Sequence, residues 1–233
     1  IDCGFRDREE IVERLAAQEH RRCIKTHTPL NGITYDPSST YVVVHRHPVD
    51  VYFSMRSHAG NTRQENLNPN SERRFTQVIR AGFQEYVEDR TQPGESQILS
   101  LESVALHYRS FRKWRHLENI HFLHYSELKR DLEGQVARLA SVLGIRHPPE
   151  IMRRIVEWAE FDTMQKNAKN HSDPRRAKVF KDPSAFFASG TSVKWKGQLN
   201  TADLDRYRDR ISNLLAPEDV RWIENGGLAP SDC

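Results

Sequence analysis

The sequence predicts an α/β fold, a parallel β-sheet flanked by helices, from three observations. Short apolar runs at Arg22-Cys23-Ile24, Tyr41-Val42-Val43-Val44-His45 and Ile120-His121-Phe122-Leu123-His124 read as strands. Segments with apolar residues at helical spacing separate them, and strands alternating with helices favour a parallel sheet. Each run leads into residues suited to handling an anion: Lys25-Thr26-His27, Arg46 and Tyr125. Parallel strands would gather these at the C-terminal edge of the sheet, where open α/β sheets bind ligands.

The elements follow in order. Asp7 and Glu10 form an Asp-x-x-Glu variant of the capping box, and Ile11 and Leu15 continue a helix that closes near Arg21 and Arg22. Pro29-Leu30-Asn31-Gly32 is a turn. After the second run, Pro48 suits a first helical position, and the helix continues through Ser54. From Arg56 to Ser71 the chain is polar and reads as a long surface loop. A helical stripe runs from Phe75 to Val87, broken by Thr91-Gln92-Pro93-Gly94. Val104, Tyr108, Phe111 and Trp114 mark the helix before the third run. Asp131 caps a helix ended by Gly144, and Pro148-Pro149 precede one carrying Ile155 and Trp158. Residues 166 to 200 read as irregular, and Thr201 as the cap of a final helix through Leu214. Trp114 and Trp158, in apolar stripes, are expected in the core.

The 233 residues suit one sizeable core. With 37% hydrophobic and 29% charged residues, the chain reads as a soluble domain. The net charge of +3 is mild and the cations are interleaved with acids, which argues against a nucleic-acid partner. Three scattered cysteines support neither a disulfide framework nor a zinc site and suit a reducing, cytoplasmic location. No run is long enough to span a membrane. No third ligand accompanies the pairs His45/His47 and His121/His124, so no metal is expected.

Arg46 and Ser54 bracket a helix start and can reach one phosphate, the first with a fork of donors and the second with a short bond. Equally, Asp50 can serve as a plain salt-bridge partner of Arg46. Lys25 and His27, at i and i+2, share one face of a strand. A base beside a cation is what transfer of an anionic group to a hydroxyl requires. Against that stands the reading of His27 as one of eleven histidines that is merely hydrogen-bonded.

Taken in order, Lys25-Thr26-His27, Arg46-x-Pro-x-Asp50 with Ser54, His124-Tyr125-Ser126-Glu127-Leu128-Lys129, Phe161-x-x-Met164-x-x-Asn167, and Gly190 with Trp195-Lys196 resemble the cytosolic-type sulfotransferases. The resemblance implies a P-loop-nucleotide-kinase-like sulfotransferase fold. It also implies transfer of a sulfuryl group from 3′-phosphoadenosine 5′-phosphosulfate (PAPS) to a hydroxyl or amine of a small-molecule acceptor, leaving 3′-phosphoadenosine 5′-phosphate (PAP). His27 matches the family's catalytic base and Lys25 the cation beside the transferring group. Arg46 and Ser54 match the holders of the 3′-phosphate, Tyr125 a residue near the adenosine, and Phe161 and Met164 the adenine platform.

Two departures from the family pattern stand out. The loop of the Pro-Lys-Ser-Gly-Thr-Thr-Trp type, which holds the 5′-phosphosulfate, does not occur in this sequence. The expectation is a single sulfotransferase domain over 1–233 whose N-terminal βα unit is missing from the chain. The Arg-Lys-Gly clamp on the 3′-phosphate reads Ala188-Ser189-Gly190, so only Gly190 remains, with Ser189 offering a hydroxyl in place of the lysine and Lys194 and Lys196 close behind as substitutes. The competing reading is a non-catalytic module of this fold that binds PAP. Adjacent Lys25 and His27 favour the enzyme, since a binding module needs no base beside a cation. Phe186-Phe187 is either core or a lid, and a homodimer is left open.

Overall fold

The structure, a computed structural model, describes residues 8–66, 76, 80–90, 100–170, 178–187 and 190–227. Two parallel strands, β1 (Tyr41–His45) and β2 (Ile120–His124), pair in register from Tyr41 opposite Ile120 to His45 opposite His124. The helices are α1 (Arg8–Ala16), α2 (Pro48–Asn61), α3 (Phe83–Glu88), α4 (Leu101–Arg112), α5 (Tyr125–Arg130), α6 (Leu132–Val142), α7 (Pro149–Ala159), α8 (Phe161–Asn170), α9 (Thr201–Leu214) and α10 (Pro217–Asn225). Short 3-10 turns occupy Leu30–Gly32, Gln64–Asn66 and Pro183–Phe187. The predicted α/β class holds: a parallel sheet carries helices on its flanks.

The core grows from the helix stripes. Val49 and Tyr52 of α2 meet Phe83, Tyr86 and Val87 of α3, Leu101, Val104 and Tyr108 of α4, Tyr207 and Ile211 of α9, and Ile223 of α10. A second cluster joins Val43 of β1 and Ile120 of β2 to Leu30 and Phe111. Strand alternation puts Val43 and His45 inside, while Val44 on the other face of β1 is 54% exposed.

A histidine two residues beyond β1 and the last residue of β2 each start the next helix. The His47 imidazole accepts from the Val49 N–H at 3.2 Å at the N-terminus of α2. The His124 imidazole accepts from the Ser126 N–H at 3.2 Å at the N-terminus of α5. Each supplies an acceptor to an otherwise unpaired helix donor. The short strand-to-helix turns therefore hold Arg46 and Tyr125 at the C-terminal edge of the sheet.

Several expectations are corrected. Arg22-Cys23-Ile24 is not a strand: residues 21–29 are irregular and Ile24 is 64% exposed. An apolar run needs a neighbour to ladder with, and among the described residues only β1 and β2 pair as strands; just past the run the Thr28 N–H donates to Thr26 Oγ1 at 3.0 Å, a local side-chain turn. The loop expected from Arg56 begins late, because α2 runs on to Asn61. Helix α8 likewise extends through the start of the region read as irregular. Asn200 rather than Thr201 caps α9, accepting from the Asp203 N–H at 2.9 Å. Helix α10 was not foreseen. Trp114 and Trp158 are 40% and 60% exposed rather than core. Asp7, Phe75, Val78, Ile79 and Thr91–Gly94 lie outside the described residues.

Candidate active site

Arg46 leaves the end of β1 and is gripped on several sides. Its Nη1 donates to Ser54 Oγ at 3.3 Å, and its Nη2 donates to the Thr191 carbonyl at 2.5 Å. Nη2 also lies 3.4 Å from Asp50 Oδ2. The guanidinium sits 4.2 Å over the Tyr125 ring, within cation–π range. Both readings of Arg46 are therefore present at once: Asp50 is its ion-pair partner and Ser54 its hydroxyl neighbour. The Arg46 Nε is buried and has no partner among the described residues.

Asp50 also fixes the opposite wall. It is 2% exposed, and its two carboxylate oxygens each accept at 2.9 Å from successive N–H groups, Val193 and Lys194. Val193 adopts a φ of 60°, a conformation that a β-branched residue resists. Lys194 is thereby brought within electrostatic reach of Arg46, and burial first, then Arg46, lower its pKa.

Tyr125 donates its hydroxyl to the Gly190 carbonyl at 2.9 Å. Burial raises the phenol pKa, and the Arg46 charge works against that rise. Gly190 has a φ of 58°, and a Cβ there would fall 2.6 Å from the Phe161 ring. Only glycine allows this close approach of backbone to ring. Phe161 stacks edge-on with Phe187 at 6.2 Å, and half-buried Met164 follows one turn along α8. Arg46, Ser54, Tyr125, Gly190 and Phe161 thus form one group, while Ser189 lies outside the described residues.

Lys25 and His27 form a second group, on the irregular 21–29 segment. His27 is within electrostatic reach of Lys25, and also of His58 on α2 and His107 on α4. Shielding of the ring first, and Lys25 second, lower the His27 pKa and favour the neutral base. The residue remains exposed overall, so solvent screens part of this effect. A neutral imidazole beside an ammonium can accept a proton while the ammonium faces an anion.

Sequence reasoning did not single out His58, His107 or the strut role of Asp50. His47 and His124 were weighed as metal ligands, but their Nδ1 atoms serve as caps, and His124 Nε2 lies 3.1 Å from the Ile223 carbonyl. The proline directly after His47 was the available signal for that cap. No group of three or more His, Cys, Asp or Glu that could hold a metal occurs among the described residues. No helix among them is long and apolar enough to cross a membrane.

A sulfotransferase domain model matches residues 1–217. The chain belongs to the sulfotransferase family. Among curated relatives of this sulfotransferase, a glycolipid sulfotransferase of Mycobacterium bovis is 29% identical, over 97% of this chain and 76% of its own length. A glycolipid sulfotransferase of Mycobacterium tuberculosis matches at 29% over the same shares, 97% and 76%. Among solved structures, mouse sulfotransferase SULT7A1 complexed with PAP superimposes with a TM-score of 0.66 at 18% identity, over 91% of this chain and 72% of that one. At that identity it is the fold that is shared. Sulfuryl transfer is the reaction class of this sulfotransferase.

Proposed function

We propose that this sulfotransferase moves a sulfuryl group from PAPS to a hydroxyl of a small-molecule acceptor, with His27 as general base. The observation that carries the reading is the Arg46 group. A guanidinium with a buried, unpartnered Nε, a hydroxyl at Ser54 and a second cation at Lys194 converge where an aromatic pair, Tyr125 and Phe161, meets Gly190. Phosphate suits the first set and a purine the second. PAP in the mouse neighbour supports the same donor here.

In this reading Arg46 and Ser54 hold the 3′-phosphate, and Phe161 and Met164 lie against the adenine. The acceptor oxygen attacks sulfur as its proton passes to His27. The bond from sulfur to the 5′-phosphate oxygen breaks, and PAP departs with that electron pair. Lys25 offsets the negative charge that develops on the leaving oxygen. The proposal takes the chain as one sulfotransferase domain, cytoplasmic and without a nucleic-acid partner, as the interleaved charge suggests. The relatives named for glycolipids extend the acceptor class to sugar hydroxyls on lipids.

The test is initial rate against pH with PAPS and a phenolic acceptor, for wild type and His27→Ala. The expected result is a loss in kcat of at least about a hundredfold, with PAP affinity unchanged. Near-normal turnover in His27→Ala would show that the proton goes elsewhere.

A further inference from the structure

A cavity of about 350 Å³ lies beside the turn from β1 into α2, between the start of α2 and the helices α9 and α10. It is separate from the two groups described above: neither Arg46, Ser54, Tyr125 and Phe161 nor Lys25 and His27 line it. Leu204 and Ile211 of α9, with Val49 of α2 and Val220 of α10, give it an apolar floor.

Three rings and one carboxylate stand over that floor. The His47 ring lies 5.9 Å from that of Tyr207, stacked at 29°, and 6.1 Å from that of Trp195. Burial lowers the His47 pKa to about 4, so this ring brings no positive charge at neutral pH. Glu224 accepts the Tyr207 hydroxyl on Oε1 at 3.0 Å. It is half-buried, and it pairs with no Lys, Arg or His among the described residues. Arg208 also lines the cavity, but it pairs with Asp205 at 2.8 Å and its side chain is 64% exposed. Shielding from water raises the Glu224 pKa, against the Tyr207 hydrogen bond and the Arg208 charge. A carboxylate drawn out of water with no counter-ion in contact is costly, and a bound cation would offset that cost.

We propose that this cavity is a binding site for an organic ammonium ion with an aryl or alkyl body: the ammonium seats between Glu224 and the aromatic walls, and the body covers Leu204 and Ile211. Ring faces carry negative charge density and attract cations, Trp most strongly. Glu224 adds an opposite charge in a setting that salt screens less than open surface. The floor rewards burial of the apolar body. A neutral molecule of the same shape keeps only that last contribution, and an anion is repelled by Glu224. The site stands apart from the reading of Arg46 and His27, because it uses none of their donors or acceptors.

The test titrates the whole protein by calorimetry, at neutral pH, with 2-phenylethylammonium chloride and with 2-phenylethanol, its neutral counterpart. Wild type is expected to bind the ammonium about tenfold more tightly, the sum of a cation–π contact and a half-shielded ion pair. Glu224→Gln keeps the shape and the acceptor for Tyr207, so alcohol affinity should persist and the preference for ammonium should shrink to about threefold or less. Leu204→Trp fills the floor and should weaken both probes by about tenfold or more. It leaves Glu224 and Tyr207 in place, so it decides the matter even where loss of the carboxylate lowers stability. Equal affinity for the two probes in wild type, an unchanged preference in Glu224→Gln, undiminished binding in Leu204→Trp, or no ammonium binding by wild type overturns the proposal.

Discussion

The Arg46 guanidinium lies 4.2 Å above the ring of Tyr125, although the two residues end different strands. Parallel pairing of β1 with β2, His45 opposite His124, makes this contact possible. Each residue then binds the 190–194 segment, Arg46 through the Thr191 carbonyl and Tyr125 through the Gly190 carbonyl. The sheet edge and this late segment therefore form one unit, and changes in either should be felt at the proposed phosphate site.

In the proposed phosphate site Ser54 accompanies Arg46 but brings no charge. Ser54→Ala is expected to cost about 1 kcal/mol of PAP binding, a typical neutral hydrogen bond. Calorimetry should rank it well below Arg46→Ala. A loss equal to that of Arg46→Ala would mean that Ser54 has a larger role than a single bond.

Asp50 accepts from the Val193 and Lys194 N–H groups and forms an ion pair with Arg46 while almost fully buried. Asp50→Ala leaves the two N–H groups and the guanidinium without their shared acceptor. The expected loss of stability is about 3 kcal/mol, the lower range for breaking a buried charge pair. Denaturant melts measure it, and a change below about 0.5 kcal/mol, the usual range for a surface substitution, would contradict the strut role.

Val193 holds a φ of 60° that glycine adopts freely. Val193→Gly should relieve about 1 kcal/mol of backbone strain, net of the extra chain entropy of glycine. Thermal melting should rise by about 2–4 °C for a chain of this size. Gly190→Ala should do the opposite, because its Cβ would meet the Phe161 ring at 2.6 Å.

Three histidines are held neutral by burial: His45 with a pKa lowered to about 3, and His47 and His107 with pKa values lowered to about 4. In the unfolded chain each titrates near 6.5, so between that value and its folded value the unfolded state binds more protons. Stability should hold above about pH 7 and fall progressively from about pH 6.5 toward pH 4. Urea midpoints across this window measure the fall, and His107→Gln should make it shallower. A flat profile, or an unchanged slope in the variant, would count against the neutral cluster.

The grouping of residues around Arg46 was legible in the sequence because its members sit at ends of strong local signals. Arg46 follows an apolar β run and precedes a helix-starting proline, and Tyr125 follows a second run. Gly190 and Phe161 lie in short motifs with distinctive neighbours. What could not be read depends on partners far away in the chain. Whether Arg22-Cys23-Ile24 forms a strand depends on a neighbour to ladder with, and apolar character alone does not supply one. Trp158 sits on an apolar stripe of α7, yet burial needs a covering layer, and here the ring faces outward. The strut role of Asp50 joins residues 143 and 144 positions apart, beyond any local pattern. His58 had no local signal at all, since its neighbours Phe180 and Phe186 lie far along the chain.

The central claim is that the sheet edge at Arg46 holds the 3′-phosphate of PAP. Calorimetric titration of PAP into wild type and Arg46→Ala tests it most directly. The account predicts measurable binding to wild type and a loss of about 1.5–3 kcal/mol in the variant, the range for a hydrogen bond to a charged group. Equal affinity in the two proteins would contradict it.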